Sequence, residues 1–548
     1  MEGLGNQALL YQKMNKKLLI PMVFASLLAL GACNNVGNSS GSQSSEGPIV
    51  ETARKILVAS LQKSIVDAGG RTSVVSDIQG LFYRSSNEDV ATVDSQGNIK
   101  TDEPGMTYIT VSKEGYFDRV LKLFVEEYDT IDYLVEGFEY GPALVGVKLN
   151  FPDKVKKADL QGKQFLIKTN KTVRTVESVG LCDVEGQFID ADESNYVRIS
   201  LVTQSNDWGP TGGAAVFTYA NSVNNWTANI SVEASLAAGN TLKVGDDTYT
   251  DSFVFNFIKS RIILSTKDWG EAKSHTASNY TLTYKGYETD ALREDGVLNP
   301  LVIWLHGMGE GGTDPDIALL GNDVTALGEP TIQNHFIEGK QKGAYVLAVQ
   351  TPTMWMNSGT GQNNGGTGHS IYTPTLKATI DKFIADNGDI DTDRIFLGGC
   401  SNGGYMTMEM AITYGDFFRA YYPICEAYAN SFVTDDDIEK LKDFPIWFIH
   451  AANDTTVNAN NFVIPTYQRL IAAGAEDVHF SYFTNVRGTD GNPNGNNYMG
   501  HYSWIYVFRD EVALDQADPN NIAAPSTEPV KDANGNVVSL FEWMQAMK

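Results

Sequence analysis

The C-terminal half of the chain is predicted to be an α/β domain on a mostly parallel sheet, preceded by two β-rich modules. Apolar runs recur at Leu301–Leu305, Tyr345–Val349, Arg394–Leu397, Ala420–Pro423 and Pro445–His450, as expected of strands covered on both faces. Helical stretches such as Pro374–Asp386 alternate with them, which predicts helices on both sides of the sheet. Upstream, short β-branched and aromatic runs lie between turn signals, with few helical periods.

The size and composition fit this division. The chain has 548 residues, 42% hydrophobic and 20% charged, an ordinary globular balance over three or four domains. A formal net charge of −26 repels phosphate backbones and argues against a nucleic-acid partner. Four cysteines (Cys33, Cys182, Cys400 and Cys425) are too few for a disulfide scaffold and too scattered for a zinc cage.

Met14-Asn15-Lys16-Lys17 opens a basic stretch before an apolar run from Leu18 to Ala32, too short to span a bilayer as a helix. Residues 1–32 read as a secretory signal, with Met14 the more natural start. Its ending, Leu30-Gly31-Ala32-Cys33, resembles the lipobox of bacterial lipoproteins. That resemblance implies cleavage before Cys33, a lipid on its sulfur, and an extracytoplasmic protein held to the membrane by that anchor alone. Residues 33–47 are rich in Gly, Ser and Asn, as in a flexible tether.

From 48 to 127 strands are expected at Leu81–Tyr83, Val90–Val93 and Tyr108–Val111, with a turn at Asp94–Gly97. The stretch SSNEDVATVDSQGNIKTDEPGMTYITV resembles bacterial Ig-like modules. From 128 to 265 strands are expected at Ala143–Leu149, Val197–Val202 and Ser252–Phe257. Its opening, VEGFEYGPALVGVKLNF, resembles the Ig-like domain that precedes the catalytic domain of certain bacterial esterases. Both modules read as spacers; Trp208 and Trp226 are candidates for carbohydrate contact.

Within 266–548, Thr373 is expected to cap the helix of Pro374–Asp386, and Thr434 the helix opened by Asp435–Asp437. Gly399-Cys400-Ser401-Asn402-Gly403 fits G-x-S-x-G, in which a serine sits on a sharp turn between strand and helix. Gly37–Gly41 matches too, but no strand or helix flanks it. Ser401 is therefore the candidate nucleophile. Of the later histidines, His450 and His479 lie in strands and read as structural. His501 follows a long loop and is the candidate base. Asp454, just past a strand tip, is the candidate orienting acid, completing the order Ser…Asp…His. Backbone N–H groups of Asn402 and of Met308 (or Gly307) are the candidate oxyanion donors, with His306 ordering that loop.

In this order, LHGMGEGG, GGCSNGGYM, HAANDTTV and GHYSW resemble α/β-hydrolase esterases related to feruloyl and polyhydroxyalkanoate esterases, over Trp269–Lys548. The resemblance implies an α/β-hydrolase fold behind two Ig-like β-sandwiches, and a serine carboxylic ester hydrolase acting on a small-molecule or polysaccharide-linked ester. Prolyl-oligopeptidase-type peptidases share the fold and triad; an inactive surface-binding lipoprotein is the reading from another class. Trp355 and Glu426 are candidate substrate-binding residues. Cys400 and Cys425 read as buried thiols, with a bond between them open. No cofactor or metal is expected: Asp490–Gly495 begins like a calcium loop, but its twelfth position is His501 where a Glu is needed. An unperturbed histidine base would lose activity as pH falls through roughly 6–7.

Overall fold

Short alternating strands fill the N-terminal part of the structure, a computed structural model that describes residues 55–68, 70–126, 129–208, 212–489, 497–520, 522, 524–532 and 534–547. The signal, the tether with Cys33, the side chain of Trp208 and Asp490–Gly495 lie outside the described residues. Lys55–Ile56 pairs in parallel with Tyr116–Phe117 in a small unit of its own. Residues 57–113 and 118–548 form a second unit, described below.

Between 57 and 126, Ile65–Asp67, Arg119–Glu126, Gly105–Ser112 and Phe82–Ser85 make one four-stranded sheet, and Ser60–Leu61, Arg71–Val75, Asn98–Thr101 and Ala91–Val93 another. Along Gly105–Ser112 the side chains of Thr107, Ile109 and Val111 are buried, every second residue, as a strand with one covered face requires. The Asp94 turn forms as expected: Asp94 Oδ1 accepts from the N–H groups of Gln96 and Asn98, each at 2.9 Å.

From 130 to 263 a five-stranded sheet is built around Ala143–Lys156, and Thr172–Arg174, Phe165–Thr169, Val232–Leu236 and Val254–Phe255 form a four-stranded one. Ile131, Val147, Leu149, Val197, Ile199, Ile167 and Ala234 share its core. Of the expected strand Ser252–Phe257, only Val254–Phe255 pairs, because just two residues reach Ser235 and Ala234. The buried Lys148 ammonium is matched by Asp132 at 3.0 Å and donates to Val184 O at 2.6 Å, so the charge is not left alone.

The remaining chain winds one eight-stranded sheet. Its strands are β1 (Lys273–Ala277), β2 (Tyr280–Tyr287), β3 (Asn299–Leu305), β4 (Tyr345–Gln350), β5 (Ile390–Cys400), β6 (Ala420–Ile424), β7 (Ile446–Ala451) and β8 (Val478–Phe483). They lie in the order β1-β2-β4-β3-β5-β6-β7-β8. All pairings from β4 to β8 are parallel; β2 is antiparallel to both β1 and β4. The five expected apolar runs are five central strands, and the sheet has a separate hydrophobic core on each face. This is the α/β-hydrolase fold.

Helix α1 (Thr373–Asp386) differs from expectation at its start. Thr373 is its first residue, not its cap; its hydroxyl donates to Ser370 O and to Glu409 Oε1, because buried acceptors lie beside it. Thr434 does cap Asp435–Leu441 in a reciprocal capping box with Asp437, and at Leu540–Ala546 the Glu542 side chain accepts from Ser539 N–H at 2.8 Å.

Candidate functional site

Ser401 stands between β5 and helix α2 (Asn402–Tyr414) with φ 56° and ψ −112°, a conformation that non-glycine residues seldom adopt. The turn closes so tightly that a Cβ on Gly403 would lie 1.9 Å from Leu305 O. Glycine at this position is a steric requirement. Ser401 N–H donates to Ile424 O at 2.9 Å, tying the elbow to β6. Its hydroxyl makes no hydrogen bond among the described residues.

His501 and Asp454 meet across the loops that follow β8 and β7. The His501 Nδ1–H donates to Asp454 Oδ2 at 2.8 Å, and both residues are buried. Gly500 makes this docking possible, since a Cβ there would lie 2.4 Å from the Asn453 carbonyl carbon and 2.5 Å from Asp454 N. Asp454 Oδ1 accepts from the N–H groups of Thr456 (2.8 Å) and Val457 (2.9 Å). Burial alone would raise the Asp454 carboxyl, but bonds from His450 and His501 overcome it and hold the group well below the usual carboxylate range. Burial likewise opposes charging of His501, yet Cys425 and Asp454 outweigh it and raise the ring above its ordinary value.

The two candidate oxyanion donors each begin a helical turn. Asn402 opens α2, and Met308 opens a 3-10 turn, Met308–Glu310, after β3. Neither backbone N–H donates to a carbonyl among the described residues, as expected of helix starts. His306 is fully buried; its Nε2 accepts from Thr351 N–H at 3.1 Å, so Nδ1 carries the proton toward Gly307 O at 2.5 Å. Burial pushes its pKa down to about 4, so it stays neutral and orders the loop.

Trp355 is fully buried between His306 and Tyr372, with no partner for Nε1. Glu426 is also buried: Oε2 accepts from Tyr428 N–H at 2.7 Å, and Oε1 has no partner. Neither side chain presents surface. Cys400 and Cys425 are free and buried, without a disulfide. Cys425 carries φ 36°, and one ring nitrogen of His501, one oxygen of Asp454 and Cys425 Sγ all lie within 4.8 Å of one another.

Four contributors escape a sequence reading. His450 Nε2 lies 2.9 Å from Val457 O and 3.3 Å from Asp454 Oδ2, so this histidine in β7 supports the acid. The Asn402 side chain accepts from Trp355 N–H at 2.6 Å, joining the tryptophan loop to the elbow. Gly500 had a signal, the G-H pair before an aromatic run. Asn224, on the hairpin Phe217–Ala220/Val223–Trp226, had none; its Nδ2 donates to Glu310 Oε1 at 3.1 Å. Burial raises Glu310 to about 7. On the same hairpin, Trp226 Nε1 donates to Asp314 Oδ2 at 2.8 Å and Arg261 lies 3.4 Å over its ring, so this tryptophan serves module contact and is not an open carbohydrate platform.

No curated protein matches the chain. Among solved structures, a thermostable esterase is 21% identical with a TM-score of 0.57, over 70% of this chain and 96% of that one. A ferulic acid esterase is 15% identical (TM-score 0.31; 39% and 90% covered), and an acetyl xylan esterase from Aspergillus awamori 18% identical (TM-score 0.27; 37% and 80% covered). The first of these likenesses agrees with the α/β-hydrolase fold. Within that fold, residues 294–488, from before β3 to beyond β8, match the phospholipase/carboxylesterase family model.

Proposed function

We propose that the chain is an exported serine hydrolase that cleaves carboxylic esters through an acyl-enzyme on Ser401. The observation that carries this reading is the hydrogen-bonded His501–Asp454 pair on the loops after β8 and β7, together with a serine held on a strained elbow after β5 of the same sheet. The family match over 294–488 favours an ester over a peptide bond as the target.

In the proposed mechanism neutral His501 takes the Ser401 proton as Oγ attacks the ester carbonyl. Asp454 holds the ring through Nδ1 and stabilises the imidazolium. The N–H groups of Asn402 and Met308 receive the oxyanion. His501 then returns the proton to the leaving alkoxide, and water, activated by the same ring, frees the acid from Ser401. These steps consume no cofactor. Trp355 Nε1 and Glu426 Oε1 are the polar atoms those two residues would offer a substrate, either a small molecule or an ester on a polysaccharide. The modules before 266 are read as Ig-like spacers, and Cys33 as the lipidated residue that holds the protein outside the cytoplasm.

The test is turnover of acetyl, butyryl, feruloyl and peptide substrates by the wild type and by Ser401→Ala. Ester cleavage that falls by about 10⁴–10⁶ in the folded variant is the expected result. Cleavage of peptides alone would move the assignment to a peptidase. Turnover of nothing would favour a binding lipoprotein.

A further inference from the structure

We propose that Cys425, His501 and Asp454 form a binding site for a thiophilic divalent cation of the Zn²⁺ type, and that its occupancy switches hydrolysis off. The second half of this statement rests on the function proposed above; the first does not.

The three side chains supply one sulfur, one imidazole nitrogen and one carboxylate oxygen, all within 4.8 Å of one another. All three residues are buried, at 0%, 7% and 6% exposure. Around a tetrahedral zinc ion, with Zn–S near 2.3 Å and Zn–N or Zn–O near 2.0–2.2 Å, ligand atoms stand about 3.4–3.6 Å apart. The widest separation therefore needs to close by about 1.4 Å at most, within the reach of small side-chain rotations. A thiolate–imidazole pair selects Zn²⁺ and other thiophilic ions over Ca²⁺ or Mg²⁺, which take oxygen ligands. Three protein ligands leave a fourth position for water.

Cys425 is also held in an unusual way. Its φ of 36° is a left-handed value that a non-glycine residue seldom adopts, and its N–H donates to Ile449 O at 2.7 Å across the ends of β6 and β7. A strained residue fixed from the neighbouring strand keeps its sulfur beside His501, whereas a thiol serving only as filling needs no such backbone. The mechanism proposed above gives this sulfur no task.

Binding balances simply: the Cys425 thiol gives its proton to solvent, and sulfur, nitrogen and oxygen donate to the ion. The ion then draws on the same ring and carboxylate that proton transfer from Ser401 requires. Inhibition is accordingly reversible by a chelator.

The experiment uses the full chain and two probes, Zn²⁺ for calorimetric titration and Co²⁺ for its thiolate charge-transfer absorption in the near ultraviolet. Wild type and Cys182→Ala, which removes another buried thiol, should bind one ion per chain and show the band. Cys425→Ala should lose the band and at least tenfold in affinity; Cys425→Ser takes its place if the alanine variant does not fold. Zinc inhibition, measured against each protein's own zinc-free rate, should weaken in parallel. An absent thiolate band in wild type, or equal zinc affinity in the Cys425 variant, would overturn the site. Zinc binding that leaves ester hydrolysis untouched would overturn the switch. A chain that binds zinc through Cys425 and hydrolyses no ester would overturn the proposed function and leave the site standing.

Discussion

Asp454 gathers four nearby groups around one carboxylate: two backbone N–H groups on Oδ1, and His501 and His450 facing Oδ2. Such an anion can steady an imidazolium without taking its proton. Asp454→Asn should lower turnover by about 10⁴, since an amide can favour the wrong ring tautomer. A loss of less than tenfold in steady-state rates would remove Asp454 from its role. Because Cys425 and Asp454 raise His501 despite its burial, the acid limb of kcat/KM should lie above the ~6.5 of an unperturbed histidine. Activity is expected when the ring is neutral, so it falls as pH drops through that raised value. A pH–rate profile with its limb at or below ~6.5 would contradict this. The sequence alone placed the limb at roughly 6–7, because it does not show what surrounds the ring.

At the scale of elements, the elbow depends on β3 and α2 approaching without side chains between them. Gly403→Ala would drive a Cβ to 1.9 Å from Leu305 O, where backbone must yield. Expected are a lower melting temperature and loss of most activity, read by thermal unfolding and by turnover of any accepted ester. An unchanged variant would mean the turn is looser than described. The hairpin ending at Trp226 packs on the Met308–Glu310 turn after β3, where Asn224 satisfies one oxygen of buried Glu310. Asn224→Ala should destabilise the chain by about 1–3 kcal/mol by leaving that oxygen without a donor. Chemical denaturation measures it, and no shift in midpoint would show the bond to be dispensable.

For the whole molecule, burial raises the carboxyls of Glu310, Asp323 and Glu426 to about 7, 7 and 8. Folded protein thus holds these protons where unfolded chain has lost them. Stability from this source is present below the ordinary carboxyl range and lost as pH rises toward the folded values. Between pH about 5 and 7 each group costs about 1.4 kcal/mol per pH unit. Glu426→Gln keeps an acceptor for Tyr428 N–H and should flatten the melting-temperature decline between pH 5 and 8. An unchanged slope would show that the glutamate is ionised throughout. For the cell, Cys33→Ala should move the protein from the membrane fraction to the soluble exported one; retention would refute the anchor.

The strand-turn-helix frame of the catalytic half was legible in the sequence because buried parallel strands are apolar along their whole length, and the tight elbow admits few residues beyond glycine. The pairing of Asp454 with His501 was anticipated because each follows a recognisable strand or loop signal. What the sequence could not carry is whatever depends on contacts between distant segments. Local pattern placed Thr373 as a cap, while in the fold it is the first helical residue and its hydroxyl faces the buried carboxylate of Glu409. Periodicity identified His450 as a strand residue but not as a neighbour of Asp454. Nothing local links Asn224 to Glu310, or Cys425 to His501, which lie 86 and 76 positions apart. Secondary structure follows from short-range preference and hydrophobic period; the surroundings of a side chain follow from which segments the fold brings together.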